Sequence, residues 1–335
     1  MKHKRLYQLL AAAFCMLLFI FPFDLAAQKR FQHDSNYYTS YPRKLTTRFY
    51  LSKKYTSLTF PALSKENDLS YTANTNLTMG VGATYNNLSL NLAYGFGFLN
   101  PDDEKGKTKS IDLELHVYPA KWSIDVLGIR HKGLYIDPKG YAVLNKNNFY
   151  YRPDAVMMLA GISAYRVPNN DRFSYNAAMI QSERQKKSAG SLLYGGEVYY
   201  GSIKGDSSLV PKAKENLFAQ AGIDKMQFFT IGAGGGYAYT LVVKEHFFAM
   251  ASLIANLDVN FSIEESSAMR NKNTAVTPSF IYKAAIGYNN DTWIVSANWA
   301  ANDLWVKGAS SDKAYAIPTG NYRLILAKRI SMKRK

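Results

Sequence analysis

Hydrophobic positions recur at every second residue over most of the chain. In "LSLNLAYGFGF", Leu88, Leu90, Leu92, Tyr94, Phe96 and Phe98 share one face, and Ser89, Asn91, Ala93, Gly95 and Gly97 share the other. "NLTMGVGATY" repeats this with Leu77, Met79, Val81, Ala83 and Tyr85, and "SIDLELHVY" sets Ile111, Leu113, Leu115 and Val117 against Asp112, Glu114 and His116. A period of two is the strand signature. The second face is mostly Gly, Ala, Ser, Thr and Asn with a few charges. That composition suits a crowded or water-lined barrel interior whose apolar face meets lipid, although a large soluble β-sandwich gives similar strands.

The connections alternate in length. "NN" at 86–87, "PAK" at 119–121, "PNND" at 168–171, "KEH" at 244–246 and "NND" at 289–291 are short. "NPDDEKGK" at 100–107, "DPKGYAVLNKNN" at 137–148, "EESSAMRNKNT" at 264–274 and the run 305–319 are long and more charged. Bacterial outer-membrane barrels pair short periplasmic turns with longer external loops. Strands are expected near 45–60, 76–85, 88–99, 108–118, 121–136, 149–167, 172–182, 191–203, 227–243, 247–263, 277–289, 292–304 and 320–330. Such barrels normally have even counts. A further strand around "LFAQAGI" (217–223) gives fourteen, and loss of one weak segment gives twelve; "PKAKENLFAQAG" also reads as a short helix. The expected fold is all-β: a transmembrane antiparallel up-and-down β-barrel of about 12–14 strands.

The N-terminus settles the route. Lys2, Lys4 and Arg5 precede an apolar run from Leu9 to Phe21, and "LAA" at 25–27 precedes Gln28. The run is shorter than the roughly 20 residues that span a bilayer, so 1–27 reads as a cleaved secretory signal peptide. Residues 28–43 read as an irregular lead and 44–335 as one barrel domain, exported to the bacterial outer membrane. Cleavage removes the only cysteine, Cys15, so neither disulfides nor thiol chemistry is expected. The net charge of +16 points to anionic partners. Export makes outer-membrane lipid and lipopolysaccharide the expected ones, and excludes nucleic acid. Tyr and Phe are abundant, at 25 and 18, as aromatic girdles require.

Little in the chain has catalytic spacing. "GAGGGY" at 232–237 has Tyr237 where the dinucleotide fingerprint needs its third glycine, and no Lys-Ser/Thr follows as in a phosphate loop. A bend or close backbone approach inside a strand explains it better. His33, His116, His131 and His246 lack a partner at metal-ligand spacing, so no metal and no cofactor is expected. His131 beside a serine on a neighbouring strand is the one arrangement that would make a membrane-embedded acyl hydrolase. Asp112 and Glu114 share a strand face but have no companion motif for acid–base work. No catalytic residue is assigned, and the protein is expected not to be an enzyme.

Four segments, "LTMGVGATYNNLSLNLAYGFG", "KTKSIDLELHVYPAKWSIDVLGIRHKGLYI", "NDRFSYNAAMIQSERQKKSAGSLLYGGEVYYG" and "GAGGGYAYTLVVKEHFF", resemble domain-of-unknown-function family 4421 across residues 45–330. The resemblance implies an outer-membrane barrel-like protein without an established activity. The basic tail after Ile330 departs from the terminal aromatic that many such barrels carry. The function expected is a pore or a ligand-binding or transport barrel; the alternative is a structural or assembly subunit of an envelope or secretion machine. The stretch "QSERQKKSAGS" (181–191) has charges on both strand faces and reads as a hairpin beyond the hydrocarbon band, or one folded toward the lumen. Its Arg184, Lys186 and Lys187, with Arg130 and Lys132, are expected to form an external basic rim that contacts anions or lipid.

Overall fold

The computed structural model describes residues 33–64, 68–85, 88–99, 104–119 and 121–331. The expected signal peptide and the tail after Ser331 lie outside these residues. Asp34–Lys335 forms one compact unit. Its strands are β1 (Tyr38–Ser40), β2 (Lys44–Phe60), β3 (Leu69–Thr72), β4 (Leu77–Tyr85), β5 (Leu88–Tyr94), β6 (Lys109–Val117), β7 (Trp122–Asp137) and β8 (Tyr150–Arg166). They continue as β9 (Glu183–Gln185), β10 (Ala189–Lys204), β11 (Lys225–Val243), β12 (Phe247–Glu265), β13 (Arg270–Asn289), β14 (Trp293–Lys307) and β15 (Ala314–Ser331).

Ten of these, β2, β3, β7, β8 and β10 to β15, pair antiparallel in a closed circuit that β15 completes against β2. The fold is therefore the expected antiparallel barrel, with ten strands in the closed ring rather than 12–14. Three features account for the difference. Segment 172–182 is no strand; it holds a π-helical turn, Asn176–Ile180, with Ala177 and Ala178 buried. Segment 217–223 adds none either, following a short 3-10 turn at Lys212–Leu217. Finally, β3 and β4 divide one side of β2. β3 pairs its second half and continues the ring to β7, while β4 pairs its first half and leads to β5. β6 pairs β7 below β3. Among the described residues, β5 and β6 share no register.

The alternation of the sequence becomes an inside and an outside. Along β12, Phe248, Met250, Ser252, Ile254, Asn256, Asp258, Asn260, Ser262 and Glu264 are buried, whereas Phe247, Leu253, Leu257, Val259 and Phe261 between them are exposed. The outer faces of the neighbouring strands continue this apolar surface through Ile231, Tyr239, Leu241, Val276, Ile286, Val295, Leu324 and Leu326. Trp122 under Arg166 (5.0 Å) and Trp293 under Lys328 (4.9 Å) bound it at the short-turn end. At Gly133, whose φ is +82°, a bulge shifts the β7–β8 register. It turns both His131 and Leu134 inward, since both are buried on either side of it.

The lumen is filled. In the long-loop half, Leu134, Met157, Ile203, Phe218, Phe228 and Tyr315 belong to one buried apolar cluster. In the short-turn half, the turn expected at 168–171 forms, with the Arg172 and Phe173 N–H groups donating to the Asn169 carbonyl, but the chain that follows it, up to residue 188, enters the lumen instead of starting a strand. Phe173 and Tyr175 pack there with Tyr118, Tyr165, Leu193 and Ile254. The expected irregular lead contributes β1, which pairs with β9 to form a two-stranded sheet.

Candidate functional site

Between the two apolar fillings lies a band of charge. Lys54, on the inner face of β2, reaches Asp112 at 2.7 Å and Glu114 at 3.2 Å. His116 sets Nδ1 2.6 Å from Asp125 and Nε2 3.9 Å from Glu114. Lys283 lies 2.7 Å from Asp125, donates to Ser123 Oγ at 2.9 Å, and faces the stacked rings of Tyr118 (4.9 Å) and Tyr175 (5.2 Å). Three acids thus face two lysines and an imidazole in a chain across β2, β6, β7 and β13. A cavity of about 60 Å³ is lined by Glu114, His116, Asp125, Tyr199, Lys283 and Asn321. It holds a water or two, not a nutrient-sized solute.

A second acidic centre lies along the same wall. Glu197 on β10, Gly232 on β11 and Asp258 on β12 stand in register. Ser279 donates to Glu197, and the Tyr165 hydroxyl lies 3.2 Å from Glu197 and 2.9 Å from Asn256 Oδ1.

The filling of the short-turn end is tied down by side chains of the wall. Arg329 donates to the carbonyls of Gln181 (2.9 Å) and Glu183 (3.0 Å), and Arg48 to that of Ile180 (3.1 Å). Asn298 donates to the carbonyls of Ala178 and Met179, and the Tyr175 and Ser252 hydroxyls are 2.7 Å apart. Outside the strands, Asp291 accepts from Tyr41 and lies 3.2 Å from Arg184. The hydrogen bond from Tyr41 holds the Asp291 carboxyl below the usual range, whereas burial pushes the Tyr41 phenol up to about 12. Burial raises the Glu183 carboxyl.

The five basic residues of the expected rim are not brought together. Arg130 and Lys132 stand on β7 opposite Ile111 and Lys109, on the outer face, where its apolar stretch ends on the long-loop side. Arg184 is at the opposite end, against Asp291 in the β13–β14 turn. Lys186 donates its backbone N–H to Tyr37, and Lys187 lies over the Tyr37 ring at 5.9 Å. The external placement of 184–187 is thus corrected: β8 and β10 both meet the inserted segment at the short-turn end, so the hairpin folds into that mouth.

His131 does meet a serine, with Ser110 Oγ 2.8 Å from Nδ1. Its Nε2 is buried and unpartnered, so no third group orients the ring as a nucleophile–base pair requires. Among the described residues, no three of His, Cys, Asp and Glu cluster to hold a metal. Lys283, Glu197 and Asp258 were not singled out by sequence. Each is an isolated charge at mid-strand, in "SFIYKAAIGY", "LLYGGEVYYG" and "LIANLDVNF", on the small-residue face; that combination is the signal that marks them.

No curated protein matches the chain. Solved structures similar to it include the outer membrane protease OmpT from Escherichia coli, at 9% identity over 88% of this chain and 98% of the other, with a TM-score of 0.36. OmpT of Vibrio cholerae is similar at 12% identity, 86% and 99% coverage, and a TM-score of 0.28. The toluene transporter TodX of P. putida is similar at 8% identity, 88% and 92% coverage, and a TM-score of 0.19. The model of the family described as "Domain of unknown function (DUF4421)" matches residues 32–326, and the chain belongs to that family.

Proposed function

We propose that this protein is an outer-membrane β-barrel with a closed lumen, acting as a binding or anchoring element of the envelope rather than as an open pore. The observation that carries this reading is the filling of the barrel along its length: an apolar cluster under the long loops, a compensated ion network at mid-height, and the inserted segment 167–188 at the short-turn end. The apolar outer face and its cation-capped tryptophans support a membrane setting. The test is conductance in planar bilayers. The wild-type barrel is expected to be silent, and replacement of 169–187 by a short glycine–serine link is expected to raise conductance. Stable ohmic channels from the wild type would refute the closed-lumen reading.

Lipid contact is assigned to the part of the basic set that faces outward at the long-loop side. Lys132 stands beside Lys109 across the β6–β7 pair, one outward position beyond Arg130. Three cations at the edge of an apolar band suit the phosphates of lipopolysaccharide, through charge-assisted hydrogen bonds. Changing Arg130 and Lys132 to Gln should weaken salt-sensitive lipopolysaccharide binding, and changing Lys186 and Lys187 should not.

A further inference from the structure

We propose that Glu197 and Asp258, leaning together across Gly232, bind one hard divalent cation of the calcium class inside the barrel. Both side chains are buried, at 3% and 1% exposure. The register Glu197↔Gly232↔Asp258 puts one acid on each side of a single strand position. That position has no side chain, and a Cβ there would lie 1.7 Å from Asp258 Oδ1. The Asp258 carboxylate therefore occupies the space above the glycine, on the side of Glu197. Ser279 donates to Glu197 and the Tyr165 hydroxyl lies 3.2 Å from it, and among the described residues neither acid is in a salt bridge with a Lys or Arg.

Two buried carboxylates facing each other without a positive partner are strongly unfavourable unless their charge is cancelled. A single shared proton leaves one negative charge in place, whereas a divalent ion cancels both. Asp258 Oδ1 is buried without a hydrogen-bond partner, and Thr230, two residues from Gly232 on the same inward face and 1% exposed, has an unpartnered hydroxyl. An unfilled carboxylate oxygen needs a donor or a cation. Paired carboxylates with no nitrogen or sulfur beside them are the chemistry of calcium-class ions rather than of softer metals. The glycine of "GAGGGY", which no nucleotide motif accounts for, is the residue that lets the two acids meet.

The test uses the full-length protein folded in detergent and stripped with EDTA. Terbium(III) is the probe, because Tyr165, 3.2 Å from Glu197, is placed to sensitise its emission. The expected result is one terbium per barrel, displaced by CaCl₂, with calcium raising the melting temperature. Glu197→Gln and Asp258→Asn keep the shape of each side chain and should each weaken binding at least about tenfold by removing a ligand charge. Gly232→Ala, which sets a methyl where the Asp258 carboxylate lies, should also weaken it. Heat-modified gel mobility shows that each variant is folded. Melting unaffected by calcium in the wild type, or terbium binding unchanged in both acid variants, would overturn the proposal. Infrared absorption of a protonated carboxyl in wild type held in excess calcium, lost in Glu197→Gln or Asp258→Asn, would also overturn it, since the pair would then share a proton.

Discussion

The mid-lumen ion chain makes its sharpest prediction at Lys283. This lysine is 3% exposed, bonds Asp125 and Ser123, and lies against the stacked rings of Tyr118 and Tyr175. Lys283→Met keeps the length of the side chain and removes its charge. Breaking a buried ion pair by deleting one partner costs about 3–5 kcal/mol. Asp125 keeps His116 at 2.6 Å, so a loss near the lower end, about 3 kcal/mol, is expected. The two ring contacts fall within that figure, because groups sharing one site do not add. Asp125→Asn alone should cost a similar amount. The double variant leaves no uncompensated charge between them and should be less destabilised than the sum of the singles, by about 1–3 kcal/mol. Urea or guanidinium unfolding in detergent micelles, followed by tryptophan fluorescence and by the mobility of unheated samples, gives the midpoints. Lys283→Met should also speed trypsin cleavage after Arg172 and Lys186, since Tyr175 loses its cation. A single-variant cost below about 1 kcal/mol, the worth of a surface pair, would refute the reasoning, as would strict additivity.

Arg329→Gln removes the donors to Gln181 and Glu183 that hold the inserted segment; a loss of about 2–4 kcal/mol is expected, because the carbonyls are left buried and unpaired, and bilayer conductance should appear. Gly236→Ala sets a Cβ 1.9 Å from the Leu253 carbonyl oxygen, a backbone atom that cannot move aside; about 1–3 kcal/mol should be lost on unfolding titration, whereas Gly97→Ala, which meets nothing within 4 Å, should be neutral. Asp291 is held below the usual range by Tyr41, so its contribution is present above the unfolded value near 3.9 and is lost as pH falls through the lower folded value. Carbon-13 carboxyl titration should place Asp291 below ordinary aspartates in the wild type and closer to them in Tyr41→Phe; an ordinary value in the wild type would remove the clamp.

The wall was legible because period two is imposed by the pleat itself. Every outer position named along β12 and β6 is exposed, and the glycine-rich run is a strand with close backbone approach, as its composition required. The contents of the lumen were not legible. "FSYNAAMIQ" alternates well enough to read as a strand, yet Asn176–Ile180 is helical. Inside a barrel a short segment is surrounded by wall on all sides, so burial no longer selects one face, and its carbonyls find partners such as Asn298 and Arg48 instead of a neighbouring strand. Asp112 and Glu114 were visible as a pair, but their cation, Lys54, lies some sixty residues earlier on β2. Pairing across non-adjacent strands depends on shear, which one strand's alternation does not report. The strand count failed for a related reason: β3 was not expected, and whether β3 or β4 continues the ring depends on which partner each half of β2 takes.

The sharing of one side of β2 between β3 and β4 has a consequence for a bilayer setting. Where β3 lies between β2 and β7, the backbone of the wall is hydrogen-bonded on both sides. Below it, among the described residues, β5 is paired only to β4 and β6 only to β7, so one edge of each has no described strand opposite. Hydrocarbon offers unpaired amide N–H and carbonyl groups nothing, at several kcal/mol for each group left dry. Irregular backbone at membrane depth is tolerated where it borders water or protein, and the inner face of β6 carries Asp112, Glu114 and His116. In a bilayer such an edge would need water or protein beside it, so the surroundings of the barrel would not be equivalent in all directions.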